Sequence, residues 1–281
     1  MTFLQMLLIA IVQGVTEFLP ISSSGHLILL PIFTGYEDQG PMIDIAVHVG
    51  SLLAIISYFF RDVAGLARGG FATVGIGKAP KEKKLFWWII IGTIPAVLVG
   101  LAIKTGMLNG VFQTMFNLQI KNDDLLESLR LTHLIAVNLI VYGILLGLAD
   151  KFGRKTRSFE DVRLIDGLLV GLAQSLALIP GTSRSGVTMT MARTLGLARV
   201  EAARFSFLLS IPAIAGAGIL IVPDLLNADP ALLMSALITG GLTFLAALGT
   251  MVFLMRFLKN ASMMVFVVYR VLMGAALLYF F

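Results

Sequence analysis

Glu17, Ser22, Ser23, Ser24 and His26 fall within the single stretch EFLPISSSGH. A carboxylate, three hydroxyls and an imidazole so close together can hold a cation, move a proton or attack phosphorus. Gln13 precedes Glu17 by four residues. On a helix over 3–18 the two side chains share one face. Glu17 is therefore a candidate metal-binding or proton-handling carboxylate with Gln13 beside it. The plainer alternative is an interfacial glutamate. Serine is a good N-cap, so a helix is expected to restart at SSSGH. Its first N–H groups, with Gly25 among them, form a natural phosphate cradle. A simple cap and a structural histidine are the bland alternative.

A second cluster, PGTSRSGVT, runs from Pro180 to Thr188. Gly181 and Gly186 let backbone approach a ligand closely. Thr182, Ser183, Ser185 and Thr188 add hydroxyls. Arg184 offers a planar fork that matches phosphate oxygens, or simply a structural partner for Glu17. Together the clusters suit an anion carrying phosphoryl groups. Ser23 with His26 can act as nucleophile and base, or the roles can reverse. Arg184 and two helix N-termini would stabilise charge on a transferring phosphoryl group, and a metal on Glu17 would assist. His48 could face the same cavity or pack in the core. Arg270 falls mid-way along the last apolar stretch with no nameable partner. Arg193 and Asp166 read as topological or structural residues near the cytoplasmic interface, and His133 as the outer end of a span.

These residues need elements to hold them. The chain has 281 residues, 58% hydrophobic and 13% charged, against about a quarter charged in soluble domains. That is an all-α polytopic membrane protein. The net charge of +5 belongs to topology rather than to nucleic acid. No cysteine is present, which removes disulfides and thiolate chemistry. The first basic residue is Arg61, so no cleavable signal peptide is expected. Six stretches are long enough to span: 43–60, 85–103, 132–149, 205–222, 232–254 and 262–280. Regions 2–34 and 164–198 are each broken by proline and glycine, which predicts two re-entrant helical hairpins. The 61–84 and 150–163 loops carry six and five basic residues, which makes their side cytoplasmic. Both termini then lie outside the cytoplasm.

This order contains a repeat. Residues 1–149 and 164–281 each read as a hairpin followed by three spans, started from opposite sides. QGVTEFLPISSSGH echoes QSLALIPGTSRSG, with Gln13 against Gln174 and Pro20 against Pro180. Inverted repeats with broken helices put a site at the repeat interface. Segment 104–131 fits an interfacial amphipathic stretch or a solvated loop. The same architecture is also a transporter signature, so a flippase or an ion-coupled transporter is the rival to an enzyme.

The two motifs resemble those of the undecaprenyl-diphosphatase family, also called bacitracin-resistance proteins. The family's (E/Q)xxxE motif stands as Gln13 to Glu17, followed by the serine–glycine–histidine element Ser22 to His26. Its PGxSRSxxT motif runs from Pro180 to Thr188. The resemblance covers essentially the whole chain. It implies hydrolysis of a membrane polyprenyl diphosphate to the monophosphate and phosphate, recycling the carrier of cell-wall synthesis in the bacterial plasma membrane. It implies six spans plus two re-entrant hairpins, with the site open to the outer face. It implies Glu17, Ser23, His26 and Arg184 as the catalytic set, a Mg²⁺ or Ca²⁺ requirement, and bacitracin as a competitor for the lipid. Gln13, in place of a second carboxylate, weakens a metal site on that helix. The oligomeric state, a homodimer included, stays open.

Overall fold

The computed structural model describes residues 1–109, 131–153, 156–220 and 228–281. The 110–130 part of segment 104–131 and the last two residues of the 205–222 stretch lie outside them. Eleven α-helices follow in order among the described residues. They are α1 (Phe3–Thr16), α2 (Ser23–Thr34), α3 (Gly40–Tyr58), α4 (Phe60–Thr73), α5 (Pro80–Lys104) and α6 (Thr132–Phe152). Then come α7 (Leu164–Ser175), α8 (Arg184–Thr194), α9 (Arg199–Leu220), α10 (Pro230–Asn260) and α11 (Met264–Phe280).

Five helices (α3, α5, α6, α9 and α10) are long and apolar enough to cross a membrane. The sixth expected stretch forms α11, whose 17 residues give about 25 Å at 1.5 Å per residue. Helix α10 is the opposite case. Its 31 residues reach about 46 Å, well beyond a ~30 Å hydrocarbon core.

Both interrupted regions break as the sequence requires, and each half is too short to span. The first break comes two residues earlier than the 3–18 helix implies, because α1 gives way to turns at Glu17. In the second region a 3-10 turn (Leu176–Leu178) follows α7, and α8 restarts at Arg184. The 61–84 segment is not a loop. Apolar Phe60, Val63 and Leu66 recur at helical spacing, and α4 packs back on the first turns of α5, where a Cβ on Gly69 would meet the Glu82 carbonyl at 2.3 Å.

The main core lies beside the breaks. Phe18, adjacent to Glu17, meets Phe207 edge-on at 5.3 Å. Phe59, Phe205 and Met251 complete that part of the cluster. Helix α7 is seated by close backbone contact with α5, since a Cβ on Gly171 would lie 1.9 Å from the Gly92 carbonyl oxygen.

At the far end, the buried Asp150 closes the bundle. It accepts from Arg199 Nε and Nη2 (2.7 and 2.8 Å), Arg193 Nε (3.3 Å), Ser262 Oγ (2.9 Å) and the Met263 N–H (3.1 Å). One carboxylate thus joins α6, α8, α9 and the start of α11. Arg193 and Asp166 are structural, as expected, with Asp166 paired to Arg157. Removing one partner of a buried charge network typically costs ~3–5 kcal/mol. Asp150→Asn should accordingly lower stability by about 3 kcal/mol, read as an earlier denaturation midpoint in detergent.

Candidate active site

The two breaks share one local geometry. Ser22 and Ser183 have φ of 77° and 72°, the positive-φ non-glycine residues among those described. Such backbone costs roughly 1–3 kcal/mol per residue and persists only where the surroundings impose it. Each serine caps the helix it precedes: Ser22 Oγ accepts from Gly25 N–H (3.3 Å) and Ser183 Oγ from Gly186 N–H (3.1 Å). Ser22 pairs with Ser24 at 3.4 Å and Ser183 with Ser185 at 3.3 Å. Ser23 and Arg184 therefore occupy equivalent positions, each the first residue of its helix.

Both side chains converge on Glu17. Arg184 Nη2 donates to Glu17 Oε1 at 2.8 Å. Ser23 Oγ donates to Glu17 Oε2 at 2.7 Å, and Gln13 Nε2 donates to the same oxygen at 3.1 Å. Glu17 is only 6% exposed, so its charge depends on these donors rather than on water. The i, i+4 pairing of Gln13 and Glu17 holds. Ser185 Oγ reaches across to the Leu19 carbonyl at 3.1 Å and ties the second break to the first. Thr188 bonds the Arg184 carbonyl (2.7 Å) and the Ser206 hydroxyl (2.6 Å), bracing the turn that carries Arg184.

Arg270 fastens the pair. Its buried guanidinium donates to the carbonyls of Pro20 (3.1 Å), Gly181 (3.0 Å) and Thr182 (2.9 Å), and to those of Leu139 and Asn138 on α6. Its partners are thus backbone carbonyls, three from the two breaks and two from α6, rather than a carboxylate. Gly181 supplies one of them at φ 84°, with Ile135 so close that a Cβ would meet its carbonyl oxygen at 2.5 Å. Arg270→Lys keeps the charge but loses the fork. We expect it to reduce activity roughly 10²-fold, because stranding buried acceptors costs ~1–3 kcal/mol each. Initial rates, with circular dichroism to verify folding, check this.

Glu17, Ser23, Ser24, Ser183 and Arg184 line a cleft of about 350 Å³. Gln13 stands behind Glu17. Ser22, Gly25, Gly181, Thr182, Ser185, Gly186 and Thr188 frame the turns without lining the cleft. His26 faces elsewhere. Its Nδ1 lies 2.6 Å from the Ser22 carbonyl, which can only accept, so Nδ1 carries the proton. Nε2 then accepts from the Tyr269 hydroxyl at 2.6 Å, and the two rings stack. The imidazole facing Glu17 is that of His48. Its Nδ1 donates to the Asp44 carbonyl (2.6 Å) and its Nε2 is 3.8 Å from Glu17 Oε2. Gln174 also lines the cleft, and both polar atoms of its buried amide have no hydrogen-bond partner. The match of Gln13 to Gln174 in the repeat was the sequence signal for it.

Among the described residues no cluster of three His, Asp or Glu side chains could hold a metal ion. Of the two carboxylates that line the cleft, Glu17 already accepts from Arg184, Ser23 and Gln13, and Asp44 accepts from Gln39. What the cleft offers is a guanidinium, hydroxyls and an unpartnered amide, a set that suits phosphoryl oxygens.

Long apolar helices around a carboxylate, guanidinium and hydroxyl gathered at two helix breaks define a multi-pass membrane protein with a polar site between the breaks. The chain belongs to the bacitracin resistance protein BacA family, whose sequence model matches residues 6–276. It is 67% identical to an undecaprenyl-diphosphatase of Erythrobacter litoralis, over the full length of both chains. It is 44% identical to one of Nitrosococcus oceani, again over both full lengths. A third, from Marinobacter nauticus, is 41% identical over 99% of this chain and 98% of its own.

Proposed function

We propose that this protein hydrolyses undecaprenyl diphosphate to undecaprenyl phosphate and inorganic phosphate. It thereby recycles the lipid carrier of peptidoglycan synthesis and confers bacitracin resistance, with bacitracin competing for the same diphosphate. The observation that carries this is the sharing of one buried carboxylate by Ser23 and Arg184, from opposite breaks. The cleft also continues into an apolar groove of about 810 Å³, shared through Ile45, Val49, Ile214 and Gly218, which suits a prenyl chain.

In this reading Arg184 and the Gln174 amide hold the diphosphate. Ser23 Oγ attacks the terminal phosphorus as its proton passes to Glu17 Oε2. The bridging P–O bond breaks and the polyprenyl monophosphate leaves with that electron pair. Water then attacks the phosphoserine, giving a proton to His48 Nε2. The P–Oγ bond breaks, Ser23 recovers its proton from Glu17, His48 gives its proton up to solvent, and phosphate departs. His26 orients the Ser22–Gly25 turn through its two hydrogen bonds. A His26 nucleophile would first have to leave Tyr269. A Mg²⁺ or Ca²⁺ requirement rests with the substrate, as counter-ion of the diphosphate, because magnesium is usually held by few carboxylates plus substrate phosphates.

The architecture we propose has six crossings, α11 being the short sixth, and two re-entrant hairpins in inverted repeats over 1–149 and 164–281. The matching geometry at Ser22 and Ser183 supports it. The skew of basic residues supports a plasma-membrane orientation with both termini outside and the cleft open to the outer face. The deciding experiment is phosphate release from a polyprenyl diphosphate by the purified protein in detergent micelles. An enzyme works without a sealed compartment. Absence of release there, with transport in vesicles, would sink the phosphatase reading.

A further inference from the structure

A second concavity lies outside the cleft, where α4, the first turns of α5, the 159–161 turn and α9 meet. Its volume is about 420 Å³. Arg61, Arg68, Lys81 and Lys84 line it, and none of the four has a side-chain ion pair or hydrogen bond among the described residues. Arg204 completes the basic set but is already spent. It pairs with Asp62 through Nε (3.1 Å) and Nη2 (2.5 Å) and lies over the Phe159 ring at 4.4 Å. With Glu82 and Glu160 the lining has five basic and three acidic side chains, a net of +2.

Two features set this pocket apart from an ordinary solvated basic loop. Lys81, Lys83 and Lys84 stand within the first five residues of α5. The macrodipole already makes that end positive and favours anions there. The sequence has thus concentrated cations where helix physics disfavours them, and a bound anion would relieve the conflict. The pocket is also walled on one side by Leu66, Leu85 and Trp88. Just beyond it, Phe60, Phe71, Val74 and Ile76 are well exposed at the same end of the bundle. Cations facing inward and bare apolar side chains alongside match a phosphate headgroup with its acyl chains attached.

We propose that this pocket binds the headgroup of an anionic phospholipid, one carrying one or two phosphodiester charges to match the net +2. The lipid sits in the layer at the basic end of the bundle and braces α4 against α5. The site is separate from the cleft, and lipid occupancy there does not depend on the phosphatase reading.

Native mass spectrometry of the full chain in detergent tests this, with phosphatidylglycerol, cardiolipin or phosphatidylcholine titrated in. A variant carrying Arg61→Gln, Arg68→Gln, Lys81→Gln and Lys84→Gln is compared with a charge-matched control. The control carries Lys78→Gln, Lys151→Gln, Arg256→Gln and Lys259→Gln, all exposed positions outside the pocket. We expect the pocket variant to retain at least about 5-fold less anionic lipid and the control to match wild type, with phosphate release unchanged in both. Equal loss in both variants would mean general charge attraction and overturn the site. So would no loss in either. Displacement of the lipid by millimolar inorganic phosphate would make it a soluble-anion site and overturn the lipid assignment. If the quadruple variant does not fold, wild type alone decides, since equal retention of phosphatidylglycerol and phosphatidylcholine refutes the proposal.

Discussion

Ser23→Ala is expected to lower kcat for phosphate release from undecaprenyl diphosphate by at least ~10³-fold, about 4 kcal/mol of barrier, with little change in KM. The hydroxyl is placed for the role. It is the first residue of α2, half-buried at the cleft wall, and hydrogen-bonded to the carboxylate that would take its proton. Removing the oxygen removes the acceptor of the phosphoryl group, whereas Arg184 and Gln174 still bind the diphosphate. The loss should therefore fall on kcat rather than on binding. Rapid acid quench of wild type should trap an acid-stable phosphoserine. An acid-labile phosphohistidine with near-normal Ser23→Ala activity would move the nucleophile to His26.

Arg184→Ala should cost about 10³-fold in kcat/KM and also ~3 kcal/mol or more of stability. Two effects combine. The transferring phosphoryl group loses its cation, and Glu17, only 6% exposed, loses the one guanidinium that holds its charge. Because part of the cost is a stranded carboxylate, Glu17→Gln added to Arg184→Ala should recover stability but not activity. Arg184→Lys should recover little, since one ammonium cannot bond Glu17 and the Ser206 carbonyl as the fork does. Steady-state rates and detergent denaturation on the three variants separate these contributions. Equal stability of the single and double variants would rule out the stranded-charge account.

Much of this site was legible in residue order. Gln13 and Glu17 share a face because four residues make about one helical turn. Serine–glycine runs after proline announce a helix that stops and restarts. Mid-chain Arg184 and Glu17 each needed an opposite charge, and the structure pairs them directly. The boundaries of α4 were not legible, because its apolar positions are sparse among charges and glycines and gain their meaning only against α5. Arg270 was invisible as a clamp. Its partners are backbone carbonyls, which every residue carries, so no residue type marks them. Nor could the sequence say which histidine faces Glu17. His26 lies close in the chain, but one turn of α2 aims it at Tyr269, while α3 delivers His48 from the other side.

The sequence alone determined that this chain is helical and membrane-embedded, that two breaks interrupt it, and which polar residues those breaks carry. Periodicity, apolar length and the cost of stranded charge act locally, so they can be read locally. Only the tertiary structure decided that Ser23 and Arg184 meet on one carboxylate, that Arg270 binds both turns, and that four cations with no partner among the described residues gather in one pocket outside the cleft. Those juxtapositions depend on how helices far apart in sequence cross and rotate against one another. Backbone packing at contacts such as Gly171 on Gly92 fixes those crossings.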